Sequence, residues 1–265
     1  MFTLIKQFKR EFVYGSYLFL ILELLATKQL MVTPLLYLFI TFIGLLIIFL
    51  WFLYSMMVFG RKKVSKKSTV YMTVNLKARM YAYVVMPIVL WFSLSIFLFL
   101  NENPYINQAV IVASVFIFFF LFLRTRSSFE KLYSVDAITR FVYDAANIVI
   151  FYLFIAVLNR IGLSDLYLLA VVFFFSLISL HHMLYIHRKV NLEASLVSIG
   201  CSILITVVTW VTKDLNIYMQ PAILGVLYYL IVTLWNVRFG GSRRFEDYIP
   251  AIMYALMSVI LILSL

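Results

Sequence analysis

Residues 111–123 read IVASVFIFFFLFL and are apolar at every position but Ser114. A membrane-spanning barrel would show strands of about ten residues in which polar and apolar side chains alternate; this run does not alternate. An unpaired amide in hydrocarbon costs several kcal/mol, so only helices and closed barrels cross a bilayer. With the barrel pattern absent, the run reads as helix. The rest of the chain shares its character: 65% of the 265 residues are hydrophobic, 12% are charged, and polar side chains come in short bursts between long apolar runs. A water-soluble globule would need polar cover that this sequence does not hold. The expected fold class is therefore all-α, a multi-pass transmembrane helical bundle.

A helix rising 1.5 Å per residue needs about twenty residues to cross roughly 30 Å of hydrocarbon. Working outward from 111–123, nine stretches come close to that length: residues 12–27, 34–60, 80–100, 108–123, 141–158, 165–187, 192–212, 218–237 and 248–265. Residues 12–60 are almost continuously apolar, and one helix of that length would be about 70 Å long. Thr27, Lys28, Gln29 and Pro34 therefore read as a tight turn between two spans. An eight-span arrangement, with the first segment lying in the interface, is the alternative. No Pro/Gly/Ser-rich linker, low-complexity tract or internal repeat interrupts the chain, so residues 1–265 read as a single integral membrane domain. Residues 1–11 are basic and enter the first span without a small-residue cleavage pattern, from which no removable signal peptide is expected.

Lys and Arg fall unequally on the two sides of this arrangement. Lys6, Lys9 and Arg10 precede the first span; Arg61, Lys62, Lys63, Lys66, Lys67, Lys77 and Arg79 follow the second. Arg124, Arg126, Lys131 and Arg140 follow the fourth, Arg188 and Lys189 the sixth, and Arg238, Arg243 and Arg244 the eighth. Only Lys28, Arg160 and Lys213 of the 22 cations are left for the opposite side. Retained cytoplasmic loops carry the positive excess, which puts the N-terminus in the cytoplasm, here of a bacterial-type cytoplasmic membrane. The same bias accounts for the net charge of +11 without nucleic acid as a partner, since no soluble module presents the charges. The seven cations of residues 61–79 exceed what orientation requires and would attract anionic headgroups or a phosphorylated ligand.

Several kinds of chemistry find no support. Cys201 is the only cysteine, so neither an intramolecular disulfide nor a thiolate metal cluster forms within the chain. There is no Gly-rich phosphate loop, GxSxG elbow or HExxH helix, and the eight glycines include no GxxxG spacing. No catalytic residue or cofactor is assigned.

Polar residues within spans are expensive and face the protein interior or a water-filled cavity. Glu23 reads as a structural partner for Lys28 near the end of the first span. Asp136, Arg140, Asp144 and Asn147 recur at spacings of four, four and three, which places them on one helical face entering the membrane. They form either a self-neutralising ladder about Arg140 or the lining of a cytoplasm-facing cavity with Asn147 at its deeper end. His181, His182 and His187 have only Glu193 as a nearby carboxylate, too few ligands for a metal site. They read as interfacial anchors, like Trp51, Trp91, Trp210 and Trp235.

The layout resembles the UbiA-type intramembrane prenyltransferases, through the stretches FKREFVYGSYLFL (8–20), NLKARMYAY (75–83), LYSVDAITR (132–140) and NLEASLVSIG (191–200). That resemblance implies nine spans, a cytoplasmic N-terminus and a cavity open to the cytoplasm. The family holds a prenyl diphosphate through magnesium on two aspartate-rich motifs. Here the corresponding regions read VFGRKKVSKKS (58–68) and HRKVNLE (187–193), with cations where carboxylates are expected. Carboxylates reach a diphosphate through a bridging metal, whereas Arg and Lys contact its oxygens directly. The resemblance thus implies a lipid- or isoprenoid-handling protein without magnesium-dependent transfer, with Arg61, Lys62, Lys63, Arg124, Arg126 and Arg188 as candidates to bind the anion. A transporter or channel component and a non-catalytic subunit or scaffold are the other two classes. Membrane lipids are the expected partners in any of them.

Overall fold

The structure, a computed structural model, describes residues 2–27, 33–59, 61–63, 71–73, 84–130, 137–187, 190–239 and 244–264. Among them run nine α-helices: α1 (Phe2–Ala26), α2 (Pro34–Phe59), α3 (Met86–Leu100), α4 (Pro104–Glu130), α5 (Ala137–Ile161), α6 (Asp165–Ile186), α7 (Leu192–Val211), α8 (Met219–Phe239) and α9 (Ile249–Leu263). Seven of these, α2 and α4 to α9, are long and apolar enough to cross a membrane. The chain is an integral membrane protein with several helical spans. The first expected span falls on α1, which also carries charged residues, and the third on α3, a shorter apolar helix whose expected start at residue 80 lies outside the described residues.

The all-helical expectation holds, and one short ribbon accompanies the helices. After α2, Arg61–Lys63 (β1) pairs antiparallel with Tyr71–Thr73 (β2), Arg61 opposite Thr73 and Lys63 opposite Tyr71. Three successive cations cannot continue an apolar helix into hydrocarbon, and backbone groups leaving the helix find partners across a short ribbon instead.

The chain divides into two compact units, Met1–Ala146 and Asn147–Leu265. No linker marks the division, which falls inside the unbroken helix α5. In the first unit α1 packs against α4 and α2, and α2 against α3. Leu18, Ile21, Leu22 and Leu25 recur at helical spacing on α1 and are buried. The closest approach is at Gly44 of α2, where a Cβ would fall inside the Trp91 indole. The missing side chain lets that ring lie against the α2 backbone and donate Nε1–H to Thr41 O at 2.9 Å. Trp51 stacks on Phe122 with ring centroids 4.4 Å apart. Trp51 and Trp91 are thus buried core residues, not the interfacial anchors expected from the sequence; Trp210, 56% exposed, is free to act as one.

Between α3 and α4 an asparagine-rich turn closes on itself: Asn101 Nδ2 donates to Asn107 Oδ1 at 2.6 Å, and Asn103 Oδ1 accepts from Tyr105 N at 3.0 Å. Beside it Gln108 Nε2 donates to Glu23 Oε2 at 2.9 Å. Gln108 is therefore a partner of Glu23 that the sequence reading did not foresee, while Lys28 lies outside the described residues.

The second unit is built on an apolar core that includes Phe151, Ile155, Val172, Leu180, Ile205, Leu224 and Tyr228. Phe151 lies nearly parallel to Tyr228, with ring centroids 4.6 Å apart. Asn191 caps α7, its Oδ1 accepting from Ala194 N at 2.7 Å. Along that helix Ser198, Ser202, Thr206 and Thr209 each donate to the carbonyl four residues earlier at 2.8–2.9 Å. These hydroxyls are satisfied locally and need no partner across the interface.

Gly44→Ala should destabilise the first unit by about 1–3 kcal/mol through overpacking against Trp91. At Gly200 an added Cβ meets nothing within 4 Å, so Gly200→Ala should leave the melting temperature unchanged or raise it slightly. Thermal unfolding of the two variants in detergent checks the contrast.

Candidate functional site

A buried charged cluster of the first unit forms where α1, α2 and α4 meet. Glu11 opens the apolar stretch of α1 and its side chain is 0% exposed. Arg10 Nη2 donates to Glu11 Oε1 at 2.7 Å, and Arg126 Nη1 lies 3.1 Å from Oε2 and 3.3 Å from Oε1. Burying a lone carboxylate costs several kcal/mol, and two guanidiniums with several donors each offset that cost. Arg10 also donates to Ser55 Oγ at 3.3 Å and stacks over the Tyr54 ring at 4.5 Å, tying α1 to α2. Thr125 shares a 2.9 Å hydrogen bond with Tyr143 OH, which fixes the stretch of α4 carrying Arg124 and Arg126. Arg124 is half-buried, and its Nε has no hydrogen-bond partner among the described residues. Arg10 and Arg126 thus share the buried Glu11 carboxylate, with Arg124 two residues before Arg126 on α4.

An apolar groove of about 270 Å³ begins one residue beyond Glu11. Phe12, Gly15, Ser16 and Phe19 of α1 form one wall, and Val115, Phe116 and Phe119 of α4 the other. Phe119 and Arg126 are seven residues apart, so they share a helical face about 10 Å apart along the axis. Gly15 lies in its wall with room to spare: a Cβ there would meet nothing within 4 Å. A cationic end and an apolar trough in line suit a molecule with an anionic head and a hydrocarbon chain.

Of the anion-binding candidates, Arg126 belongs to this cluster and Arg124 lies two residues before it on α4. Arg61, Lys62 and Lys63 form β1, and Arg188 lies outside the described residues. Of the polar stripe, Asp136 lies outside them too; Arg140 is exposed, while Asp144 and Asn147 are buried, and the unit division falls between the last two. In the second unit His182 Nδ1 lies 3.3 Å from Asn147 Oδ1, and both residues are buried. That overturns the expectation of an interfacial His182; His187 is buried as well, while His181 is exposed. Sequence reasoning used Arg10 only to count charge and passed over Glu11 and Gly15. The order KREF, a carboxylate between two cations and a span, was the available signal for Glu11.

No family model, curated protein or solved structure matches the chain. The site stands on its own geometry.

Removing the carboxylate leaves two partly exposed guanidiniums without their shared partner. Glu11→Ala should cost about 2 kcal/mol, below the loss typical of a fully buried pair because both arginines reach solvent. Glu11→Ala combined with Arg126→Ala should cost less than the two single losses added together. Unfolding midpoints of the three variants measure this.

Proposed function

We propose that this integral membrane protein holds an anionic amphiphile, a phospholipid or an isoprenoid phosphate, with its phosphate at Arg126 and Arg124 and its chain in the α1–α4 groove. The observation that carries the reading is the alignment of the arginine cluster about Glu11 with an apolar groove that Gly15 helps to line. Arginine contacts phosphate oxygens directly through charge-assisted hydrogen bonds, so the binding needs no magnesium. On this reading the chain handles lipid without activating a diphosphate leaving group, as the cations in place of aspartate-rich motifs also suggest. The basic residues of β1 would add long-range attraction for the same headgroups.

A ligand that binds only the folded protein raises its melting temperature. Prenyl diphosphates, prenyl monophosphates and anionic phospholipids, each with and without magnesium, should include at least one that raises it equally in both conditions. Gly15→Leu should fill the groove without a clash, keep the unliganded melting temperature and abolish the shift. Arg124→Gln, which breaks no ion pair among the described residues, should weaken binding about ten-fold. A magnesium-dependent shift with a prenyl diphosphate would instead indicate a transferase site. No shift with any amphiphile would leave transport or scaffolding.

A further inference from the structure

At one end of the second unit the turn after α5 and the connection from α7 to α8 border an open cavity of about 330 Å³, within the usual size range of small-molecule sites. Gly162, at φ 68°, makes the reversal that opens it. The hydrogen bonds in its wall fix one acceptor. Thr209 O is a backbone carbonyl, so the Gln220 atom 2.8 Å from it must be the donor Nε2. Gln220 Oε1 therefore faces Asn159, whose Nδ2 donates to it at 2.7 Å. Gln220 is 2% exposed and both its ends are engaged, so this relay sets the orientation of Asn159 and leaves Asn159 Oδ1 as an acceptor to which no described residue donates.

The charges of the cavity point the same way. Lys213 Nζ pairs with Asp165 Oδ2 at 2.9 Å, and this partner raises the lysine pKa above its ordinary value, keeping the ammonium charged. Asp214 also lines the cavity and adds its charge to that rise, so among the lining residues two carboxylates stand against one ammonium. Arg160 does not line it; its guanidinium lies over the Tyr218 ring at 4.9 Å and donates to Ala156 O. Among the described residues no group of three or more His, Cys, Asp or Glu side chains could hold a metal ion. An acceptor fixed by its neighbours and a lining with two carboxylates to one ammonium suit an organic cation that carries N–H donors.

We propose that this cavity binds a primary ammonium group, which donates to Asn159 Oδ1 and is balanced by Asp214. Its source is either a free small amine or the ethanolamine headgroup of a lipid. The quaternary ammonium of choline carries the same charge but no N–H, so its cationic centre cannot donate to Asn159 Oδ1 as a primary ammonium does. The full-length protein in phosphatidylcholine nanodiscs should gain thermal stability from added ethanolamine if the source is free, or from phosphatidylethanolamine in the bilayer if it is a headgroup; added choline should have no effect. Asp214→Asn, an exposed substitution, should weaken the effective source about ten-fold, and Asn159→Leu should abolish its effect. If neither ethanolamine source raises the melting temperature, if choline raises it equally, or if Asp214→Asn binds as tightly as the native protein, the assignment is wrong.

Discussion

Hydrocarbon offers no partner to a backbone amide, and the architecture follows from that constraint. Every long apolar run becomes a helix because only a helix satisfies its own peptide groups without help from a neighbour. Apolar burial then contributes little to holding helices together, since lipid chains are as apolar as leucine. Close packing and a few polar contacts must do so. Gly44 shows the first, letting the Trp91 ring lie against the α2 backbone and reach the Thr41 carbonyl. Glu11, shared by Arg10 and Arg126, shows the second, joining residues 115 positions apart in sequence.

Polar side chains in the two units serve different ends. The hydroxyls along α7 return to their own helix and ask nothing of other helices. The Asn101–Asn107 turn and the Asn159–Gln220–Thr209 relay close loops by saturating their donors. Two places do not close completely. Near the Glu11 cluster, Arg124 Nε has no hydrogen-bond partner among the described residues; at the Asn159 cavity, an amide oxygen receives no donor from them and two carboxylates face one ammonium. Surplus charge and open acceptors beside a cavity are what a ligand can use, so function is sought at these two places.

The fold class could be read from residues such as 111–123, because run length and the absence of alternation are properties of the chain alone. The nine stretches anticipated the nine helices among the described residues for the same reason, although α1 is more charged and α3 shorter than a typical span. The candidate site was only partly legible. Arg124 and Arg126 stood out as cations at the end of a span. Glu11 did not, because its burial depends on α4 being its neighbour. Trp51, Trp91 and His182 were misread as interfacial because an amphipathic ring at the end of an apolar run suits either an interface or a core.

By itself, then, the sequence determined that this chain resides in a bilayer as a set of helices, since that outcome rests on local hydropathy and backbone hydrogen bonding. Only the tertiary structure decided which side chains meet: that Glu11 lies between two arginines, that Gly15 lines a groove against α4, and that Gln220 orients Asn159. Helix pairing in hydrocarbon turns on the shape of whole helix faces and on single polar contacts distant in sequence, and no local pattern of residues encodes either.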